Sequence, residues 1–132
     1  MKALSLHPYY AVMIAAGEKT IEYRSWRTNY RGPLIICSSR FNDGPQFPRG
    51  YALCAVDLRD ITGDNRKYEW HLADVTLIDP FPVKGRLHLF DVPDEKLSRL
   101  CWNDTWEPFD FDAAYEYWIS RGLCSDPDEM EN

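Results

Sequence analysis

Apolar and polar residues alternate in short runs along most of this chain, and the pattern shifts to a helical period in only a few places. Lys2 to Leu6 reads as a short apolar strand. Pro8 suits a first helical position, where its missing N–H costs nothing, so Tyr9 to Ala16 reads as a compact helix. Gly17 is the natural left-handed stop after it. From Thr20 to Trp26 the pattern alternates strictly: Thr20, Glu22, Arg24 and Trp26 share one face of a strand, and Ile21, Tyr23 and Ser25 share the other. A polar turn, Arg27 to Pro33, leads to a buried strand over Leu34 to Ser38. Arg40 to Gly50 holds Asn42, Asp43, Gly44, Pro45 and Pro48, which marks a loop of the length that is often functional.

The second half begins with a long strand, Tyr51 to Ile61. Ala55, Asp57, Arg59 and Ile61 fall on one face, and Cys54, Val56, Leu58 and Asp60 on the other. Gly63 to Lys67 is a turn, and Tyr68 to Ile78 is extended, with Trp70 and Leu72 alternating against Glu69 and His71. Pro80 and Pro82 frame a break before a strand over Arg86 to Val92. Asp94 to Cys101 reads as a short helix. Asp110 is a good N-cap for a last helix through Arg121, closed by Gly122. Phe111, Ala114, Tyr115, Trp118 and Ile119 form one apolar stripe on it. Ser125 to Asn132 forms an acidic, frayed tail. These elements predict an α+β fold: a small mixed β-barrel of about six strands, a helix between the first two, and helices at the C-terminus.

Composition narrows the class. The chain has 132 residues, the length of one ordinary domain, and 27% of them are charged. The formal net charge is −6. Residues 1–50 carry seven Lys/Arg against three Asp/Glu, whereas residues 51–132 carry eight against eighteen. The acidic remainder disfavours strong duplex DNA binding, while a local basic cleft can still hold a phosphate or a short strand. Cys37, Cys54, Cys101 and Cys124 include no Cys-x-x-Cys pair, so a zinc or redox motif is not expected. Reduced thiols imply a cytoplasmic location. No secretory leader is apparent, and no apolar run approaches the roughly 20 residues of a membrane span. His7, His71 and His88 show no metal-ligand spacing, so no metal site and no cofactor is expected.

The chemistry concentrates in one stretch. A strand that keeps Glu22, Arg24 and Trp26 on one face, with Lys19 at its mouth, looks like the floor of a polar cleft. Lys19 and Glu22 can work as an acid–base couple, or stand with Arg24 as an ion-pair network. Arg24 presents a planar fork suited to phosphate or carboxylate, or it holds Glu22 in place. Trp26 and Trp70 can stack on a base or belong to the core. Lys84 lies in a Pro/Gly-framed turn, as a phosphate contact or a solvated side chain. Ser38 offers a hydroxyl to a ligand or to the backbone.

The run Gly17-Glu18-Lys19-Thr20-Ile21-Glu22-Tyr23-Arg24-Ser25-Trp26-Arg27-Thr28-Asn29-Tyr30-Arg31-Gly32-Pro33-Leu34 closely resembles the signature of the ASCH domain, the family named for homology to the activating signal cointegrator. Gly50 to Leu58, then Trp70, then Pro82-Val83-Lys84-Gly85 agree with it in order and spacing. The resemblance covers about residues 2–92 and implies a PUA-like barrel over 1–92; residues 93–132 lie outside it and, from their own pattern, read as a helical extension packed on the barrel. The resemblance also implies a cleft that receives RNA, a nucleotide or a modified nucleobase, in which Lys19 and Glu22 are, on their own acid–base chemistry, the candidate catalytic residues. The candidate ligand contacts are Arg24, Trp26, Arg31, Ser38, Trp70 and Lys84.

Some relatives are amidohydrolases that deacetylate N4-acetylcytidine, and others have been described as ribonucleases. In the amidohydrolases a threonine three residues after the motif lysine is the nucleophile. Glu22 stands there in this chain, and a carboxylate does not replace a hydroxyl that must form an acyl-enzyme. His7-Pro8-Tyr9-Tyr10 replaces the commoner Arg-Gln-Pro-Trp run, and Cys37 replaces a frequent histidine. A hydrolase and a protein-interaction module using the C-terminal extension remain the alternatives to a binding protein.

Overall fold

The structure, a computed structural model, describes residues 1–101 and 107–128. Six strands form one mixed sheet: β1 (Lys2–Leu6), β2 (Ile21–Arg24), β3 (Gly32–Ser38), β4 (Tyr51–Asp64), β5 (Lys67–Pro82) and β6 (Phe90–Asp91). Helix α1 (Pro8–Ala15) follows β1, and helix α2 (Phe111–Ser120) lies near the C-terminus. The strand order is β2-β5-β4-β3-β1-β6, with β1 and β3 parallel and every other pair antiparallel.

Alternation accounts for the two-sided burial of the central strands. Leu4, Leu34 and Ile36 point into one apolar cluster, with Leu53, Leu58, Trp70 and Trp118. Their neighbours Ala3, Ile35 and Cys37 point into a second, with Ala52, Ile78, Phe81 and Phe90. Leu100, Ala114 and Trp118 from the C-terminal segment belong to the first cluster, so that segment completes the same core as β1 and β3. Asp110 caps α2 by accepting from the Ala113 N–H at 2.8 Å.

The chain departs from the sequence expectations in several places. The sheet is not closed into a barrel: among the described residues, β2 pairs only with β5, and no backbone ladder joins it to β1 or β6. Instead the Arg24 guanidinium donates to the Ser5 carbonyl at 3.2 Å, so a side chain spans the seam that a sixth strand pairing would have closed. The break expected at Pro80 and Pro82 is absent. β5 runs through both prolines: Pro80 falls in the register slip between Leu77 and Phe81, and Pro82 ends the strand opposite Tyr51.

The third slip of the β4–β5 pair, between Leu58 and Asp60, reverses the faces of β4 beyond it. Ile61 therefore joins Val56 and Leu58 in the core, not Ala55 and Asp57 on the opposite face. The strand expected over Arg86 to Val92 shrinks to Phe90–Asp91, since residues 83–89 cross the seam without pairing. The helix expected over Asp94 to Cys101 is one 3-10 turn, Asp94–Lys96. The end of the acidic tail, 129–132, lies outside the described residues.

Candidate functional site

The open seam is a cleft of about 1110 Å3. One wall is β2. The other is built by the ends of β1 and β3, the start of α1 and the connector 83–89. Pro8 starts α1 directly after His7, which places Tyr10 on the cleft side. The helix ends at the left-handed Gly17 (φ 78°), whose turn returns the Glu18 and Lys19 N–H groups to the Met13 carbonyl at 3.0 and 3.1 Å. That turn brings the Lys19 side chain back over the cleft. The loop after β3 contributes Arg40, and its Asp43 carboxylate accepts from the Tyr9 N–H at 2.8 Å, tying loop and helix together.

Glu22 is the one buried carboxylate among the described residues, with 6% of its surface exposed. Its Oε1 lies 3.4 Å from Lys19 Nζ, and its Oε2 lies 2.9 Å from Arg24 Nη2. The Lys19 ammonium also sits 5.1 Å from the ring centroids of both Tyr10 and Tyr23, a cation–π sandwich. Arg24 is fixed further by Ser5, while its buried Nε has no partner in the structure. The floor is thus an ion-pair triad in which two cations share one carboxylate, leaving a formal charge of +1.

The rim is different. Arg40, Lys84 and Arg86 line it and make no ion pair with any described residue. Gly50, left-handed at φ 78°, donates to the Ser38 and Ser39 carbonyls and accepts from the Val83 N–H at 2.9 Å, which anchors the connector. Gly85 packs against Ser5 so closely that an added Cβ would stand 2.6 Å from the Ser5 hydroxyl oxygen. Five cationic side chains and one carboxylate therefore face the same space.

Of the residues singled out by sequence, Lys19, Glu22, Arg24, Ser38 and Lys84 meet in this cleft. The Ser38 hydroxyl is 1% exposed and is engaged by the Tyr51 backbone, accepting from its N–H at 3.2 Å and lying 3.3 Å from its carbonyl. Trp70 requires a correction. It is fully buried, its indole N–H donates to the Trp26 carbonyl, and no ring face is left for a base. Trp26 packs edge-on against Trp70 and His88 and does not line the cleft. Arg31 lies elsewhere, donating to the Thr28 and Tyr30 carbonyls and 3.7 Å from Asp60.

Sequence reasoning missed Ser5, Arg40 and Arg86, which only the folded chain brings together, whereas His7 and Tyr10 belong to the run that the resemblance put at the cleft edge. Among the described residues, no group of three or more His, Cys, Asp or Glu side chains is placed to hold a metal ion. No described helix is long and apolar enough to cross a membrane.

Comparison with known proteins agrees with this fold. A family model described as the ASCH domain matches residues 4–126. Among solved structures, the fold is similar to the ASCH protein of Zymomonas mobilis (TM-score 0.58, 16% identity, covering 72% of this chain and 89% of that one). A point mutant of that protein superposes with TM-score 0.57 at 17% identity, covering 72% and 91%. No curated protein sequence matches the chain significantly.

Proposed function

This chain belongs to the ASCH domain family, and from that premise we propose that its seam cleft binds single-stranded RNA through one nucleotide held between β2 and the connector. The observation that carries this reading is the convergence of Lys19, Arg24, Arg40, Lys84 and Arg86 on one space in a protein of net charge −6. Arg40, Lys84 and Arg86, free of carboxylate partners among the described residues, receive phosphate oxygens. The base lies over the floor, where Glu22 accepts from an amino or imino N–H and the Tyr10 and Tyr23 rings bound it laterally. The acidic remainder of the surface opposes long duplexes. Four unpaired cysteines fit a reducing, cytoplasmic setting.

A hydrolase using Lys19 and Glu22 has less behind it. Both Glu22 oxygens are already held by cations, and Lys19 is clamped between two rings, which suits positioning more than proton transfer. For the interaction-module reading, the C-terminal aromatic stripe is largely spent on the core, since Ala114 and Trp118 are fully buried.

The test is titration of the protein with a labelled single-stranded RNA and with the four nucleoside monophosphates at low salt. Binding that weakens at least tenfold in the Lys84→Ala/Arg86→Ala variant supports the reading. Absence of binding by the wild type, or unchanged binding by the variant, refutes it. Turnover of N4-acetylcytidine or of the RNA under the same conditions, lost in Lys19→Ala, would move the assignment to an enzyme.

A further inference from the structure

A second groove, of about 420 Å3, lies on the far side of β2 and is lined by Tyr23, Arg24, Arg66, Lys67, Tyr68 and Glu69. It shares two lining residues, Tyr23 and Arg24, with the seam cleft, so the two hollows are neighbours on either side of these side chains. The strand register explains the shared lining: Tyr23 lies opposite Glu69 and Arg24 opposite Tyr68, and Asp64 opposite Lys67 closes the β4–β5 hairpin just beyond.

Three features of this groove are those of a nucleic-acid track. Tyr23 is 64% exposed, a large ring presented to solvent between the two hollows. Arg66 and Lys67 are exposed and form no ion pair with any described residue, and outside the lining the Arg27 guanidinium lies 5.9 Å from the Tyr68 ring centroid. Glu69 is the only carboxylate in the lining.

The hairpin tip adds an independent observation. Asn65 and Arg66 both have positive φ, 51° and 62°, as the two central residues of a tight hairpin turn. Asparagine suits the first position, but glycine is the residue that the second favours. The chain keeps a guanidinium there at a conformational cost that glycine would avoid.

We infer that single-stranded RNA leaving the seam cleft continues into this groove, with a neighbouring base on the exposed Tyr23 ring and its phosphate between Arg66 and Lys67. This rests on the cleft reading above and extends it: the occupant is a strand longer than one nucleotide. With Glu69 present and Arg24 already committed to Glu22, the groove adds affinity to a strand anchored in the cleft and does not hold a mononucleotide itself.

Arg66→Gly separates fold from binding, because it removes the guanidinium while relaxing the turn. The experiment compares wild type with Arg66→Gly/Lys67→Gln, using a labelled mixed-sequence RNA of about ten nucleotides and, separately, the nucleoside monophosphates. The double variant is expected to melt no lower than wild type and to bind monophosphates equally. For the RNA its affinity should fall about five- to tenfold, and the slope of log K against log salt should shrink by about 0.7 for each lost phosphate contact. Wild-type affinity and slope in a folded double variant would overturn the track while leaving the cleft reading intact. If the wild type binds neither probe, the cleft reading fails and this inference falls with it.

Discussion

The Lys19–Glu22–Arg24 triad makes a prediction that can be worked from its distances. The Arg24–Glu22 contact is 2.9 Å and the Lys19–Glu22 contact 3.4 Å, with Glu22 8%, Lys19 16% and Arg24 20% exposed at the side chain. At an effective dielectric near 20, a charge pair about 4 Å apart gains about 4 kcal/mol, and withdrawing the charges from water takes back much of it. Removing one partner of a fully buried pair costs about 3–5 kcal/mol, because the other charge is stranded. The residual exposure of both cations reduces this, so Glu22→Gln should lower stability by about 2 kcal/mol, moving the urea midpoint by about 1 M at a typical slope.

Arg24→Met keeps the packing of the side-chain stem and should cost about 1–2 kcal/mol, since Lys19 still neutralises Glu22. The double variant should lose less than the sum by about 1–2 kcal/mol, the coupling of directly paired groups. Urea unfolding followed by tryptophan fluorescence reads all four states, because Trp70 and Trp118 are fully buried in the native protein. A coupling below about 0.3 kcal/mol, the scatter seen for independent sites, would refute the triad as an ionic clamp.

Other outcomes follow from the same structure. Trp118→Ala should cost about 3–5 kcal/mol, and a chain truncated after residue 92 should lose its cooperative melt, because Leu100, Ala114 and Trp118 leave the shared core; circular dichroism on heating checks both. Burial pushes the Cys37 thiol up to about 12 from 9.0, also raises Cys54, and with Cys124 beside it pushes the Tyr115 phenol up to about 12 from 10.0. These groups favour the native state fully below about pH 9, and that contribution is lost as pH rises toward 12, so melting temperatures should fall across that window and not between pH 7 and 8.5. Gly85→Ala should weaken RNA binding several-fold with little change in melting temperature, since its Cβ must push the connector away from Ser5; calorimetric titration beside a thermal melt separates the two effects.

The legible part of the site was the part encoded locally. Strict alternation over Thr20 to Trp26 put Glu22 and Arg24 on one face, and the left-handed stop at Gly17 placed Lys19 above them, as the structure shows. The opposite wall was not legible. Ser5, Arg40 and Arg86 come from three separated segments, and their convergence depends on how the sheet curls, which no local period encodes. Trp70 misled for a related reason: alternation identifies its face but not whether that face meets ligand or core. The reversal at Ile61 arose from a slipped register between Leu58 and Asp60, a one-residue event without a glycine or proline at the slip to announce it.

The open seam has a further consequence, for solubility. β2 offers an unpaired outer edge, and such an edge is a template onto which another chain can add a strand. Here the template is four residues long and flanked by Lys19, with Glu22 and Arg24 in its interior. Short length and inward-pointing charge are the means by which sheet proteins keep such edges from recruiting one another. The three charges that shape the cleft thus also keep the protein from self-association, and variants that neutralise them together would be expected to trade a binding defect for a tendency to polymerise.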